Sequence, residues 1–213
     1  MRRLAQSARS FLPAQLSMAQ LRESAAGCTG CDLYKHATQT IFGEGAVRAS
    51  IMFVGEQPGD QEDLAGRPFV GPAGKILDKA LAEAGIARQD LYVTNAVKHF
   101  KWEPQGKRRK HKKPSATEIA ACRPWLEAEI EVVNPRVIVC LGVTAAHSVF
   151  GKAVRLNGMR KRPWSTPLAP IVFVTVHPSA VLRHPDAVDR DREYRGIVED
   201  LRSIRLHLQL KAA

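Results

Sequence analysis

Four short apolar runs rich in β-branched residues set the limits on what this chain can fold into: SIMFVG (50–55), LYVTNAV (91–97), RVIVCLG (136–142) and IVFVTVHP (171–178). They are nearly continuous rather than alternating, the pattern of strands buried on both faces. Helix-period segments separate them. GPAGKILDKALAEAG puts Ile76, Leu77, Ala80, Leu81 and Ala84 on one face and stops at Gly85. SATEIAACRPWLEAEIEVVNP opens on a capping-box pair, Ser115 and Glu118, and turns Ile119, Cys122, Leu126 and Ile130 inward. A third helix is predicted through VTAAHSVFG and a fourth through REYRGIVEDLRSIRLHLQL, with Tyr194, Ile197, Val198, Leu201, Ile204 and Leu208 inward. Strands alternating with helices predict an α/β sandwich with a parallel sheet.

The 213 residues, 45% of them hydrophobic, suffice for one core. A single domain is expected over 21–210, preceded by a flexible basic N-terminus over 1–20. The opening MRRLAQSARSFLP is basic and acid-free, as in a transit-like segment, but lacks a secretory apolar core and reads as a frayed terminus. No apolar run approaches the roughly 18 residues of a membrane span, so a soluble monomer is expected. A net charge of +11 and a pI near 9.9 point to a polyanionic partner, without separating DNA from RNA or an anionic membrane. Two of the four cysteines form a CTGC pair, which suits metal or redox chemistry in a reducing compartment, the cytoplasm, better than a disulfide framework.

Ligands of parallel α/β folds collect beyond the carboxyl ends of the strands. There this sequence places its unusual polar residues. After the first run comes GEQPGDQEDLAGRPFVGPAG, with Glu56, Gln57 and Asp60; its glycines and prolines describe a shaped loop whose helix-start N–H groups would suit an anion. After the second come Asn95, in TNAVKHF, and the basic loop GKRRKHKKP (106–114), where Lys107, Arg108, Arg109, Lys110, Lys112 and Lys113 surround His111. After the fourth comes HPSAVLR, with His177. An amide can donate and accept at the edge of a pyrimidine, and an imidazole can donate to a carbonyl oxygen or a developing anion. Taken alone, the basic run reads as a solvated nucleic-acid patch.

GEQPG, GRPFVGPAG, TNAVKHF, GKRRKH and HPSA together resemble the uracil-DNA glycosylase superfamily, and within it the UdgX class, over about residues 25–205. Related iron-sulfur glycosylases share the first and last of these motifs but usually lack the basic loop, and carry a cysteine where this chain has His99. The resemblance implies a three-layer α/β/α sandwich around a central four-stranded parallel sheet, and uracil-containing DNA, preferably single-stranded, as substrate. It also implies a [4Fe-4S] cluster on Cys28, Cys31, Cys122 and His99. C-x-x-C spacing alone suits zinc as well as iron-sulfur, and Cys140 in place of His99 is the alternative fourth ligand; otherwise Cys140 is a small buried hydrophobe.

The same resemblance assigns roles. Phe69 would stack on uracil, Asn95 and Gln57 would read its edge, and His177 would stabilise anionic charge at O2. Leu182 would wedge into the DNA, while Ser179, Arg183, Lys107, Arg108, Lys110 and Lys112 contact the strand. Arg109 would anchor the basic loop through a phosphate or Gln57. His111 would attack C1′ and leave a covalent adduct, with Glu56 orienting the ring or accepting a proton. The surrounding cations are expected to keep His111 neutral and hence nucleophilic. Rival readings are a hydrolytic glycosylase that turns over and a non-catalytic single-strand-binding module.

Overall fold

Each apolar run becomes a strand. The computed structural model describes residues 7–210, with side chains through 208. Its strands are β1 (Glu44–Gly45), β2 (Ile51–Gly55), β3 (Leu91–Asn95), β4 (Trp102–Gln105), β5 (Arg108–His111), β6 (Val137–Leu141), β7 (Trp164–Thr166) and β8 (Ala169–Thr175). Its helices are α1 (Met18–Ala26), α2 (Asp60–Ala65), α3 (Pro72–Ala84), α4 (Ala116–Val133), α5 (Val143–Phe150), α6 (Ser179–Arg183) and α7 (Ala187–Leu210).

The main sheet runs β1-β3-β2-β6-β8-β7. Its four central strands are parallel, as the four runs predict, and β2, β3 and β6 are buried along their whole length. The sequence did not announce β1 and β7, short antiparallel strands that close the two edges. Period-2 side chains sort the core into two halves. Met52, Val54, Ile138, Cys140 and Val172 face Leu21 of α1 and Trp125 and Leu126 of α4. Phe53, Val93, Val139 and Phe173 face Leu77 and Leu81 of α3 and Ile197 and Leu201 of α7. Helices therefore cover both faces, completing the α/β/α sandwich.

The predicted caps are present. Ser115 Oγ accepts from the Glu118 N–H and Glu118 Oε2 from the Ser115 N–H, starting α4, and Gly85, in the left-handed region, ends α3. The expected flexible terminus needs correction over 7–20: Ala8 is buried, Phe11 and Leu12 pack on the core, and Met18 begins α1. Residues 1–6 of that segment lie outside the described region. The basic loop is a second correction, being a β-hairpin in which β4 and β5 pair antiparallel from Gln105↔Arg108 to Trp102↔His111.

Candidate functional site

The carboxyl ends of β2, β3, β6 and β8 surround a cavity of about 850 Å³ lined by Glu56, Gln57, Phe69, Asn95, His111 and His177, among others. That volume suits a small-molecule site. Asn95, the last residue of β3, is 3% exposed, and its side-chain amide has no hydrogen-bond partner among the described residues. A buried amide facing a cavity without a protein partner is poised for one from a ligand. Gly55 is required beside it, since a Cβ there would collide with Asn95 Oδ1 and the Phe69 ring. Phe69 has φ +56°, rare outside glycine, and its ring stacks towards His177 at 6.2 Å and 29°.

Hydrogen bonds fix the tautomer of His177. Its Nδ1 receives the Ser179 N–H at 3.2 Å and faces Ser179 Oγ at 2.8 Å. A main-chain N–H can only donate, so Nδ1 is the acceptor and the proton sits on Nε2. Arg183 donates to the same hydroxyl at 2.9 Å, leaving the hydroxyl's own proton for the ring. Burial, reinforced by the charge of Arg183, holds the His177 pKa down to about 4. At neutral pH it is an uncharged N–H donor. Ser179, expected at DNA, spends its hydroxyl inside the protein.

The hairpin brings His111 to the opposite wall. Gln57 Oε1 accepts from the Lys101 N–H at 3.3 Å, which orients the amide. Its NH2 then serves Lys112 O at 2.9 Å, Lys101 O at 3.2 Å and His111 Nε2 at 2.9 Å. An amide NH2 can only donate, so His111 Nε2 is an acceptor whose single in-plane electron pair is directed at Gln57. Glu56 Oε1 stands 3.7 Å from that nitrogen, and Thr144 Oγ1 donates to the other Glu56 oxygen. The His111 pKa lies below the usual histidine value, chiefly through burial, with Glu56 opposing and Arg183 assisting. The expectation that the surrounding cations do this needs correction: Lys107, Arg108 and Lys110 project into solvent, where water and salt screen them.

Arg109 is the hairpin's anchor, but through carboxylates rather than a phosphate or Gln57. Its guanidinium bonds Asp60 Oδ1 at 2.5 Å and Asp63 Oδ2 at 2.6 Å, and lies over Phe100 and Trp102. Asp63 is fully buried and is also held by Thr38. The helix-start N–H groups of the glycine-rich loop need a similar correction. Glu62 accepts from Gly59 and Gly71, so the protein fills these positions with its own carboxylate. Of the other expected DNA contacts, Lys112 pairs with Glu103 at 3.0 Å, and Leu182, 51% exposed, stands at the cavity mouth with Arg183. Asp63, Glu62 and Thr144 were missed because a lone acid or threonine on a helix carries no pattern until the fold gives it a partner.

Cys28, Cys31 and Cys122 are buried. Burial raises the Cys31 and Cys122 thiols, Cys122 to about 12, and the other thiols' charges add to both shifts, which places the three sulfurs within electrostatic reach. N–H groups of Gly30 and Trp125 point at Cys28 Sγ, and that of Lys98 at Cys122 Sγ. Such donors suit thiolate ligands. Cys140 is raised by burial alone, as a core side chain would be. His99 Nε2 meets Thr40 Oγ1 at 2.9 Å. Among the described residues no three His, Cys, Asp or Glu side chains converge on one metal ion.

Fold and site together define an α/β protein with a pocket at the carboxyl ends of its parallel strands, lined by Glu56, Asn95, His111 and His177. The family model described as the Uracil DNA glycosylase superfamily matches residues 42–202. A Type-4 uracil-DNA glycosylase of Thermotoga maritima is 43% identical over 176 residues, 82% of this chain and 85% of that protein. One from Pyrobaculum aerophilum is 35% identical over 80% of this chain and 87% of its own length. The chain belongs to the uracil-DNA glycosylase superfamily. These two relatives bear the Type-4 name; the narrower UdgX resemblance rests on the hairpin and His99.

Proposed function

We propose that the protein excises uracil from DNA, preferably single-stranded, and that His111 captures the deoxyribose as UdgX-type chemistry requires. The relatives named uracil-DNA glycosylases support the excision. One observation supports the capture: Gln57 donates to His111 Nε2, which marks that nitrogen as the unprotonated one, on the cavity wall beside Glu56.

The nucleotide leaves the stack first, at least cost in single-stranded DNA. Uracil lies against Phe69 while the Asn95 amide pairs with a ring carbonyl and N–H. Cytosine presents an amino group there and leaves the amide unpaired. As the C1′–N1 bond breaks, its electron pair departs with uracil and His177 Nε2–H stabilises the anion. Glu56 stabilises the cationic sugar. Gln57 gives up its hydrogen bond to His111 Nε2, the freed pair forms the new bond to C1′, the Nδ1 proton passes to solvent and uracil takes up another. Where water reached C1′ instead, the same pocket would hydrolyse. Cys28, Cys31, Cys122 and His99 would hold a [4Fe-4S] cluster, which would brace the amino-terminal segment against α4.

The test is a uracil-bearing single-stranded oligonucleotide, denatured in SDS after incubation. A shifted protein-DNA band that vanishes in His111→Ala is expected. Free uracil over many turnovers without a band would identify the hydrolytic enzyme, and neither product a binding module.

A further inference from the structure

Lys98 and Glu129 form an ion pair, 0% exposed on both sides, beneath the carboxyl end of β3. All three ammonium hydrogens have acceptors: Glu129 Oε2 at 2.5 Å, Thr94 Oγ1 at 2.7 Å and the main-chain oxygen of Asn95 at 2.7 Å. Glu129 Oε1 accepts in turn from the Tyr92 hydroxyl at 2.8 Å and the Gly43 N–H at 2.9 Å, and Thr94 gives its proton to the same carboxylate. Gly43 must be glycine, since a Cβ would strike Glu129 Oε1 and Tyr92. Taking two charges out of water is costly, so such a pair contributes little net stability over apolar side chains of the same volume. What it supplies is geometry.

The geometry it fixes is that of Asn95. The N–H groups of Ala96 and Val97 bond to Gly55 O and Glu56 O, while the carbonyl of Asn95 itself is held by Lys98 Nζ. The peptide plane after Asn95 is clamped on both sides, and the partnerless amide extends into the cavity from backbone that cannot swivel. Lys98 also donates its own N–H to Cys122 Sγ, so one residue joins the cysteine side of the molecule to the pocket.

We infer that the Lys98–Glu129 pair is a positioning device that holds the plane of the Asn95 amide, and through it the rate of base excision, without touching DNA. The inference rests on the reading of Asn95 as the uracil-recognising group. Its test is the double variant Lys98→Met with Glu129→Gln, which keeps volume and the acceptor for Gly43 and Tyr92 but removes the donor to Asn95 O. Uracil release is measured under single-turnover conditions on a single-stranded oligonucleotide, over a range of protein concentrations. The maximal rate should fall about 10- to 100-fold, as for small misplacements of reacting groups, with half-saturation and iron content unchanged. Thr94→Val keeps the Lys98 contact to Asn95 O and should lower the melting temperature while leaving the maximal rate alone. Should the first pair not fold, Lys98→Leu with Glu129→Gln carries the same expectation. A wild-type rate in the double variant overturns the inference, as does an equal rate loss in Thr94→Val, which would mark general loosening. A fully active Asn95→Ala would instead remove the base-reading assignment and the inference with it.

Discussion

His111 and His177 face one cavity from opposite walls, and partial burial drives both imidazoles towards the neutral form. Their hydrogen bonds then give them opposite tasks. Nε2 of His111 accepts and keeps its electron pair; Nε2 of His177 carries the proton and donates. Protonation would abolish the nucleophile, so acid should slow the reaction. Because the His111 pKa is lowered, the rate of adduct formation should stay flat from pH 8 down to the ordinary histidine value of about 6.5 and fall only below it. Stopped time courses across that range would check this, and a midpoint above the ordinary value would contradict the lowered pKa. The residue types were legible in the sequence, but their protonation partners were not. Gln57 lies far along the chain from His111, and no local spacing announces that their side chains meet.

At the scale of elements, the proposed capture depends on the hairpin that carries His111. Residues 107–113 carry six cations, yet the position of His111 depends on Arg109, the one turned inward. Arg109 neutralises the buried Asp63 and the half-exposed Asp60, pinning β5 to α2. In Arg109→Leu, a buried carboxylate loses its counter-charge; after discounting the exposed partner, the cost is about 2 kcal/mol. The variant should melt earlier and form little SDS-resistant adduct, while an exposed charge swap such as Lys110→Glu leaves the melting temperature nearly unchanged. An Arg109→Leu protein with the wild-type adduct rate would show that the hairpin holds its place without the anchor. The sequence marked this segment as basic but not as a β-hairpin, because Lys and Arg runs lack strand propensity and only pairing to Trp102–Gln105 orders them.

At the scale of the molecule, a net charge of +11 would, on the proposed function, draw DNA towards the cavity. Lys107, Arg108 and Lys110 are exposed on the hairpin, and Arg183 sits at the cavity mouth. If these four meet phosphates, log affinity for single-stranded DNA should fall with log salt at a slope of roughly −3. Lys107→Glu with Arg108→Glu should flatten that slope without altering the maximal excision rate. Fluorescence anisotropy at several salt concentrations measures it, and an unchanged slope would place the strand elsewhere. No helix among the described residues is long and apolar enough to cross a membrane.

By itself the sequence determined the layers, the order of the parallel strands' apolar runs, the helix caps and the rim on which Glu56, Asn95, His111 and His177 lie. Those features follow from local periodicity and from the rule that ligands meet the carboxyl ends of strands, both of which act over short stretches of chain. Only the tertiary structure decided that Arg109 binds Asp60 and Asp63, that Glu62 accepts from Gly59 and Gly71, that partial burial and Arg183 rather than the hairpin's exposed cations lower the His111 pKa, and that Lys98 clamps Asn95. The decisive partners, Asp63 for Arg109 and Glu129 for Lys98, lie far along the chain from the residues they hold. The energy of such a contact depends on desolvation and on a partner that only the folded chain supplies.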